Sequence, residues 1–476
     1  MDTWTQENEA AFSAYVDGLV KVIGHADRAD PLRDYCLGLL MPLERKSVEP
    51  MAAVTAPARV AAKHQSLLHF VGQASWSDEV LMAQVRDHVL PVIERHGPIR
   101  AWIVDDTGFP KKGRHSVGVA RQYCGQLGKQ DNCQVAVSLS VANEAASLPI
   151  AYRLYLPQAW ADDREQRRKA KVPPEAVFQT KPQIALDQIK AAQAQGVAPG
   201  VILADAGYGA DGGFRAGLSA LGLAYVVGVQ PTLSVWRPGE EPLRPKPWSG
   251  KGRPPSLLRR SPDNKPISAK ALAEQLPAEA WHTITWREGT NVDLVSRFAA
   301  VRLRPASRDN NRSEPRAEEW LMIEWPEVAA EPTKYWLSTM PPETSIECLA
   351  KTAKLRWRIE RDYQDLKQEL GLGHYEGRGW RGFHHHASLC IAAYGFLISL
   401  RGIIPPSASA RAKGSSTPCL SSDRRPRSSA GPARAPRAHL HRDHATTAHP
   451  RPRPAPLPVS VLQSNQHATS PCLMTQ

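Results

Sequence analysis

Apolar residues recur at helical spacing through ENEAAFSAYVDGLVKVIG (7–24), DPLRDYCLGLLMPLERK (30–46), KHQSLLHFVG (63–72) and SDEVLMAQVRDHVLPVIE (77–94). Such spacing gathers the apolar side chains on one helix face, so residues 1–95 are expected to form an all-helical domain. Ser77 is placed to cap the last of these helices; Val80 three positions on leaves no capping box. The last two helices, joined by QASW, fit a plain helical hairpin or a helix-turn-helix.

The period changes after residue 96. PIRAWIVDD, CQVAVSLSVAN (133–143) and LPIAYRLYLP (148–157) read as strands, the second and third forming a hairpin across EAAS. A helix over 182–194, a buried strand in VILADAGYG (201–209), a helix in DGGFRAGLSALG and a buried strand in AYVVGVQ (224–230) follow. This order predicts a mixed α/β sheet over 96–230 whose first three strands form an antiparallel meander. Residues 231–340 combine Pro, Arg and Lys with short strand-like pieces and predict a β-rich insertion. In the last folded part, 341–403, PETS starts a helix at 343 that is expected to run to about 371, and a second apolar helix covers 384–401. From 404 to 476 there is no apolar periodicity, and twelve prolines fall within residues 401–476, which predicts a disordered basic tail or a stretch read in a shifted frame.

Composition adds three constraints. No apolar run is long enough to span a bilayer, and the acidic, polar N-terminus is not a secretory signal, which points to the cytoplasm. The seven cysteines are scattered, with no CxxC pair, as in a reduced protein without structural zinc. Of the net charge of +13, residues 401–476 carry +9 (ten Arg and one Lys against two Asp), leaving +4 for the rest. A modestly basic core is compatible with nucleic acid without demanding it.

The chemistry lies at element ends. Asp105 and Asp106 close the first core strand before TGFPKKG, and Asp205 closes the fourth before AGYG. In RWRIERDYQDLK (356–367), Arg356, Glu360 and Lys367 fall within roughly 60° on an ideal helix, beside an apolar arc of Leu355, Ile359, Leu366 and Leu370. Each feature has a plain alternative: strand-end Asp residues serve as caps and turn formers, and charged helix faces are commonly solvated. Together they suggest more, because clustered carboxylates raise one another's pKa unless a cation joins them. Hard oxygen donors suit two Mg2+ or Mn2+ ions, which can activate a water or 3′-hydroxyl in phosphodiester displacement. Side chains alternate along a strand, so only one of Asp105 and Asp106 can face the other acids.

RWRIE followed by six residues and Lys resembles the Y-R-E-K box of bacterial DDE transposases. The runs VDDTGFPKKGRHSVGVARQYCGQLGKQDNCQ, ADAGYG and GLGHYEGRGWRGFHHH are similar to the DDE-superfamily endonucleases of the insertion sequence seven-zero-one group. The resemblance covers roughly residues 10–400. It implies an RNase H-like fold with a β-rich insertion, and Asp106 (followed by Thr107), Asp205 and Glu360 as a catalytic, metal-holding triad. It implies DNA-backbone contacts for Arg356 and Lys367, and selects Asp106 over Asp105. Lys111, Lys112 and Arg114 in the loop after the first acid are candidates for phosphate contact, or a solvated loop. Trp336 is a candidate for stacking on a flipped base, or a core residue. The box's tyrosine falls at Ala353, and Tyr363 is the nearest substitute. His384, His385 and His386 point in different directions on a helix, which argues against a shared metal.

The implied activity is DNA transposition: two-metal hydrolysis, then strand transfer, at the ends of an insertion sequence. The implied partners are duplex DNA with terminal inverted repeats, target DNA and a second protomer, beside the nucleoid. The alternatives are a transposon-derived DNA-binding protein without catalysis and a general RNase H-like nuclease.

Overall fold

A computed structural model describes residues 3–287 and 294–403; the expected tail therefore lies outside the described residues. Five helices open the chain: α1 (Thr3–Val20), α2 (Ala29–Leu40), α3 (Val48–Thr55), α4 (Val60–Gly72) and α5 (Asp78–Glu94). Then come β1 (Ala101–Pro110), β2 (Ala120–Cys124), β3 (Lys129–Ala142), β4 (Ser147–Leu154), α6 (Gln158–Asp162), α7 (Arg164–Ala170) and α8 (Lys181–Ala194). The parallel part follows as β5 (Val201–Ala204), α9 (Ala206–Gly209), α10 (Gly212–Ala220) and β6 (Tyr225–Val229). The insertion contributes β7 (Ser234–Val235), β8 (Ile267–Ser268), α11 (Ala269–Glu274), β9 (His282–Arg287), β10 (Leu294–Leu303), β11 (Glu319–Trp325) and β12 (Lys334–Ser338). The chain closes on α12 (Ile346–Lys354), α13 (Trp357–Gln364), a π-helical turn over Asp365–Glu369, and α14 (Trp380–Ile403).

Ten strands form one mixed sheet in the order β2-β3-β1-β5-β6-β12-β11-β10-β9, with β4 also paired to β3. Strand β3 is long enough to pair β1 along one edge while β2 and β4 divide the other. Strands β1, β5 and β6 run parallel. The expected meander of β1, β3 and β4 is present, and β2, which the charged run ARQYC concealed, adds a second hairpin to it. Strands β9 to β12 of the insertion extend this same sheet, because β12 pairs antiparallel with β6 at Ser338↔Val226 through Tyr335↔Val229, while β7 and β8 pair with each other in a separate small sheet.

The N-terminal helices share a continuous apolar core with the sheet rather than packing apart from it. Helices α4 and α5 both pack on α14, which is buried nearly all round, and this arrangement departs from a helix-turn-helix pair. Three consecutive histidines anchor α14 in three directions. His384 donates from Nδ1 to the Trp380 carbonyl and accepts at Nε2 from Leu154 N of β4. His385 lies between the carbonyls of Val71 and Trp76 and stacks on the Trp76 ring at 3.5 Å. His386 accepts from Tyr35 OH at Nδ1 (2.9 Å) and donates from Nε2 to the Gly371 carbonyl (3.0 Å).

That last pair of bonds satisfies a neutral imidazole, and burial pushes the His386 pKa from 6.5 down to about 4. A group held neutral in the fold stabilises it above the unfolded pKa, and loses that contribution as pH falls from about 6.5 towards about 4. The expected outcome is a melting temperature that drops across this interval, with a shallower drop in His386→Gln. Equal slopes in thermal melts of the two proteins would contradict it.

Candidate active site

The site is built where β1 and β5 end. Their parallel register pairs Ala101 with Val201, Trp102 with Ile202 and Ile103 with Leu203. Continued by two residues, it sets Asp105 beside Asp205 on one face of the sheet. Asp205 leaves the strand as the cap of the short α9, its Oδ1 accepting from Gly207 N (2.9 Å) and Tyr208 N (3.3 Å). Two glycines make this turn possible. A Cβ on Gly209 would run into the Gly228 carbonyl of β6, and one on Gly228 would approach Ala206 N to 2.8 Å. The absence of side chains there lets α9 lie flat on β6 and fixes the Asp205 carboxylate at the sheet edge.

Across the sheet, Asp105 pairs with Ser138 of β3, so these two also share a face. Helix α13 covers that face: Tyr363 OH meets Ser138 Oγ at 2.6 Å beneath it, and Ile359 and Leu366 are fully buried. At its start, Arg356 donates from Nη2 to Asp105 Oδ1 (2.8 Å) and lies 3.7 Å through Nη1 from Glu360 Oε1. Asp205 adds to the field at the same guanidinium. Asp105 is only 13% exposed, while Glu360 is 72% exposed. Burial raises the Asp105 pKa to about 7; Arg356 pulls it back down, and Asp205 and Asp106 push it up.

Asp106, the next residue along β1, points to the opposite face. There its Oδ2 accepts from Lys181 Nζ at the start of α8 (2.8 Å) and lies 3.5 Å from Tyr208 OH. The two strand-end acids thus have different partners: a lysine and a tyrosine hold Asp106, and the guanidinium that also meets Glu360 holds Asp105. Lys181 was missed in sequence. Its signal is the capping box that opens α8, in which Thr180 and Gln183 exchange side-chain bonds with the backbone and aim the helix start at the strand end.

The single helix expected from 343 to 371 is broken at Leu355–Arg356 and ends in the π-helical turn. Arg356 is therefore the residue entering α13. Lys367, on the π turn, donates to the Gly108 carbonyl (3.0 Å) and lies 5.1 Å above the Phe109 ring, half-buried beside β1. Tyr363 is engaged with Ser138 under the helix, so it does not stand in for the tyrosine missing at Ala353. Trp336 is a core residue of β12, 8% exposed, with Lys354 Nζ 5.8 Å from its ring; it offers no face to a base. In the loop after β1, Lys111 is tied to the Tyr375 carbonyl (2.9 Å), whereas Lys112 and Arg114 are exposed.

Among the described residues no group of three His, Cys, Asp or Glu side chains is gathered tightly enough to hold a metal ion. The positive charge nearest Asp105 and Glu360 is the Arg356 guanidinium. The donor chemistry nevertheless fits a hard divalent cation: Asp105, Asp205 and Glu360 offer carboxylate oxygens around one positive centre, and Arg356 Nε is buried without a partner, so that centre is not locked by a full set of bonds.

The family comparison covers the strand-end acids, Asp105, Asp106 and Asp205, but not the helical Arg356–Glu360 pair. Residues 18–292 match the DDE superfamily endonuclease family, to which this chain belongs. Enzymes of that superfamily generally use divalent metals. The chain is also similar to the protein described as "Probable transposase for insertion sequence element IS701" of Microchaete diplosiphon, at 30% identity over 195 residues. That alignment covers 41% of this chain and 47% of the relative, so the chain spans about half the length of the curated relative it matches. No helix among the described residues is long and apolar enough to cross a membrane.

If Arg356 is what permits Asp105 to be charged, the two are energetically coupled. The expected outcome of a double-mutant cycle with Arg356→Ala and Asp105→Asn, read by urea unfolding, is a coupling of about 1 kcal/mol or more. Additive effects would contradict it. Gly209→Ala is expected to destabilise the fold by about 2 kcal/mol, because backbone rather than a flexible side chain must give way; an unchanged unfolding midpoint would contradict that.

Proposed function

We propose that this protein is a DNA transposase that cleaves phosphodiester bonds at the ends of an insertion sequence and joins the freed 3′ ends to target DNA. The carrying observation is that Arg356, entering α13, meets both a strand-end aspartate and Glu360 while lying in the field of Asp205. An RNase H-like core is supported by the strand order β4-β3-β1-β5-β6, with β3 antiparallel and β1, β5 and β6 parallel.

The motif favours Asp106 as the first carboxylate of the triad, whereas shared strand face and shared guanidinium favour Asp105. We assign the role to Asp105, with Asp205 and Glu360, and give Asp106 the task of holding β1 against α8 through Lys181. These three carboxylates would hold Mg2+ or Mn2+, two ions in the full site. Bound there, the ions supply Lewis-acid activation of the attacking oxygen and neutralise charge on the leaving one.

The remaining work belongs to the chain's own side chains. Arg356 offsets the repulsion between the carboxylates, and its planar guanidinium is suited to grip a DNA phosphate bidentately. Lys367 is already anchored beside β1 and adds a second positive point near the same strand end. Lys112 and Arg114, exposed on the loop leaving β1, extend the phosphate track away from the acids. The wider reading includes terminal inverted repeats as the substrate, a second protomer in the DNA complex, and a cytoplasmic location beside the nucleoid.

The test is Mg2+-dependent nicking of duplexes carrying the element's ends, with DNA binding and Mn2+ binding by calorimetry measured in parallel. Asp205→Asn and Asp105→Asn are expected to abolish nicking and weaken Mn2+ binding while DNA binding persists; Asp106→Asn is expected to keep measurable nicking. Loss in Asp106→Asn with retention in Asp105→Asn would return the first carboxylate to Asp106. DNA binding by the wild type without any nicking would favour the non-catalytic alternative, and cleavage of any duplex or hybrid would favour the general nuclease.

A further inference from the structure

The insertion carries a loop that none of the site chemistry uses. Leu243 and Arg259 exchange backbone bonds of 2.9 Å and close a loop of residues 244–258, RPKPWSGKGRPPSLL. Its base is clamped. Arg260 donates to Asp309 Oδ1 and to the Ala306 carbonyl (2.7 Å), and the buried Trp236 donates to Asp309 Oδ2 (2.8 Å). Beyond the clamp, every residue from Lys246 to Leu257 is exposed.

Three properties of this loop are unusual together. It holds four cations (Arg244, Lys246, Lys251 and Arg253) and no acid. Its tip carries Trp248, which is 55% exposed where an indole is ordinarily covered. The indole is nonetheless held in place: Nε1 donates to the Gly252 carbonyl (3.1 Å), across a turn whose glycines Gly250 (φ +84) and Gly252 (φ +71) occupy the left-handed region. That bond uses the ring edge and leaves the ring face open. Four prolines stiffen the two arms, which lowers the entropy lost when the loop is ordered against a partner.

We infer that loop 244–258 is a duplex-DNA-binding arm, in which Lys246, Lys251 and Arg253 contact backbone phosphates and the open face of Trp248 packs on the deoxyribose of the same backbone. The inference rests on the DNA-processing reading above and adds a contact outside the acidic site. A protein partner fits less well: two lysines and two arginines without an acid among them are the ordinary footprint of phosphate contact. An aromatic face interleaved with those cations adds apolar contact with the sugars, which tolerates any base sequence.

The test is binding of fluorescently labelled duplex by the full chain in EDTA, which separates binding from cleavage, read by anisotropy across a salt series. Each lost phosphate contact removes about 0.9 from the slope of log affinity against log salt, so Lys251→Ala with Arg253→Ala is expected to lower that slope by about 2. Trp248→Ala is expected to bind about tenfold more weakly at fixed salt with an unchanged slope, and Trp248→Phe to retain most affinity. Unchanged thermal melts exclude a folding defect. Wild-type affinity and slope in both loop variants, while the parent binds duplex, would overturn the arm and leave the functional reading standing. A charge effect without a Trp248 effect would overturn the Trp248 contact. Equal losses on single-stranded RNA would overturn the assignment to duplex DNA. A parent chain that binds no duplex at any salt would overturn the arm and the functional reading together.

Discussion

Two carboxylates at the ends of neighbouring parallel strands repel each other, and the rest of the site is arranged around that repulsion. Adjacent strands lie about 4.8 Å apart, and at an effective dielectric of about 20 two like charges at that spacing cost about 3 kcal/mol. Asp105 and Asp205 stand in this relation, and their repulsion adds to burial, the larger cause, in raising the Asp105 pKa to about 7 against the pull of Arg356. The guanidinium of Arg356 offsets the repulsion, and its position explains the local shape of the chain. The helix breaks at Leu355–Arg356 so that the arginine enters α13 pointing at β1. The π turn then carries Lys367 back to the Gly108 carbonyl of the same strand. A π turn inside a helix costs some regularity, and such turns cluster where a side chain must be aimed.

The scaffold serves the same end. Glycines 209 and 228 allow α9 to touch β6, so the Asp205 carboxylate is held by two backbone N–H groups at a fixed height. The Asp105–Ser138 pairing and the Ser138–Tyr363 bond fix the helix over the face on which the acids meet. On the other face, Lys181 and Tyr208 engage Asp106, so the second strand-end acid is neutralised without drawing on Arg356. One face thus gathers Asp105, Asp205 and Glu360 around Arg356, while on the opposite face Asp106 is paired with Lys181.

Much of this was legible in the chain. Period-3.6 and period-2 patterns located four of the five N-terminal helices and the main strands of the core. Helix α3 was hidden by its shortness and by Pro50, and β2 by its charged, half-exposed residues. The acids at strand ends and the Arg-x-x-x-Glu spacing marked the site before any geometry. What remained ambiguous was the choice between Asp105 and Asp106, because strand alternation says only that one of them faces the other acids. The cross-strand register, continued two residues past its last pair, puts Asp105 rather than Asp106 on the face of Asp205, and register depends on contacts between segments nearly a hundred residues apart, which no local pattern encodes. The same holds for the insertion: its strands were recognisable, but their continuation of the main sheet rests on the β12–β6 pairing. Ideal helical geometry placed Arg356, Glu360 and Lys367 on one face; the break and the π turn redistribute them, since tertiary contacts to β1 override the regular repeat.

The most direct measurement is anomalous diffraction from crystals soaked in Mn2+, with and without a DNA end. The expected result is manganese bound by Asp105 and Asp205 oxygens, with Arg356 swung away from Asp105 and Asp106 still paired to Lys181. Manganese on Asp106, or an Arg356–Asp105 pair that persists at saturating Mn2+ with no metal on the β1–β5 edge, would contradict it.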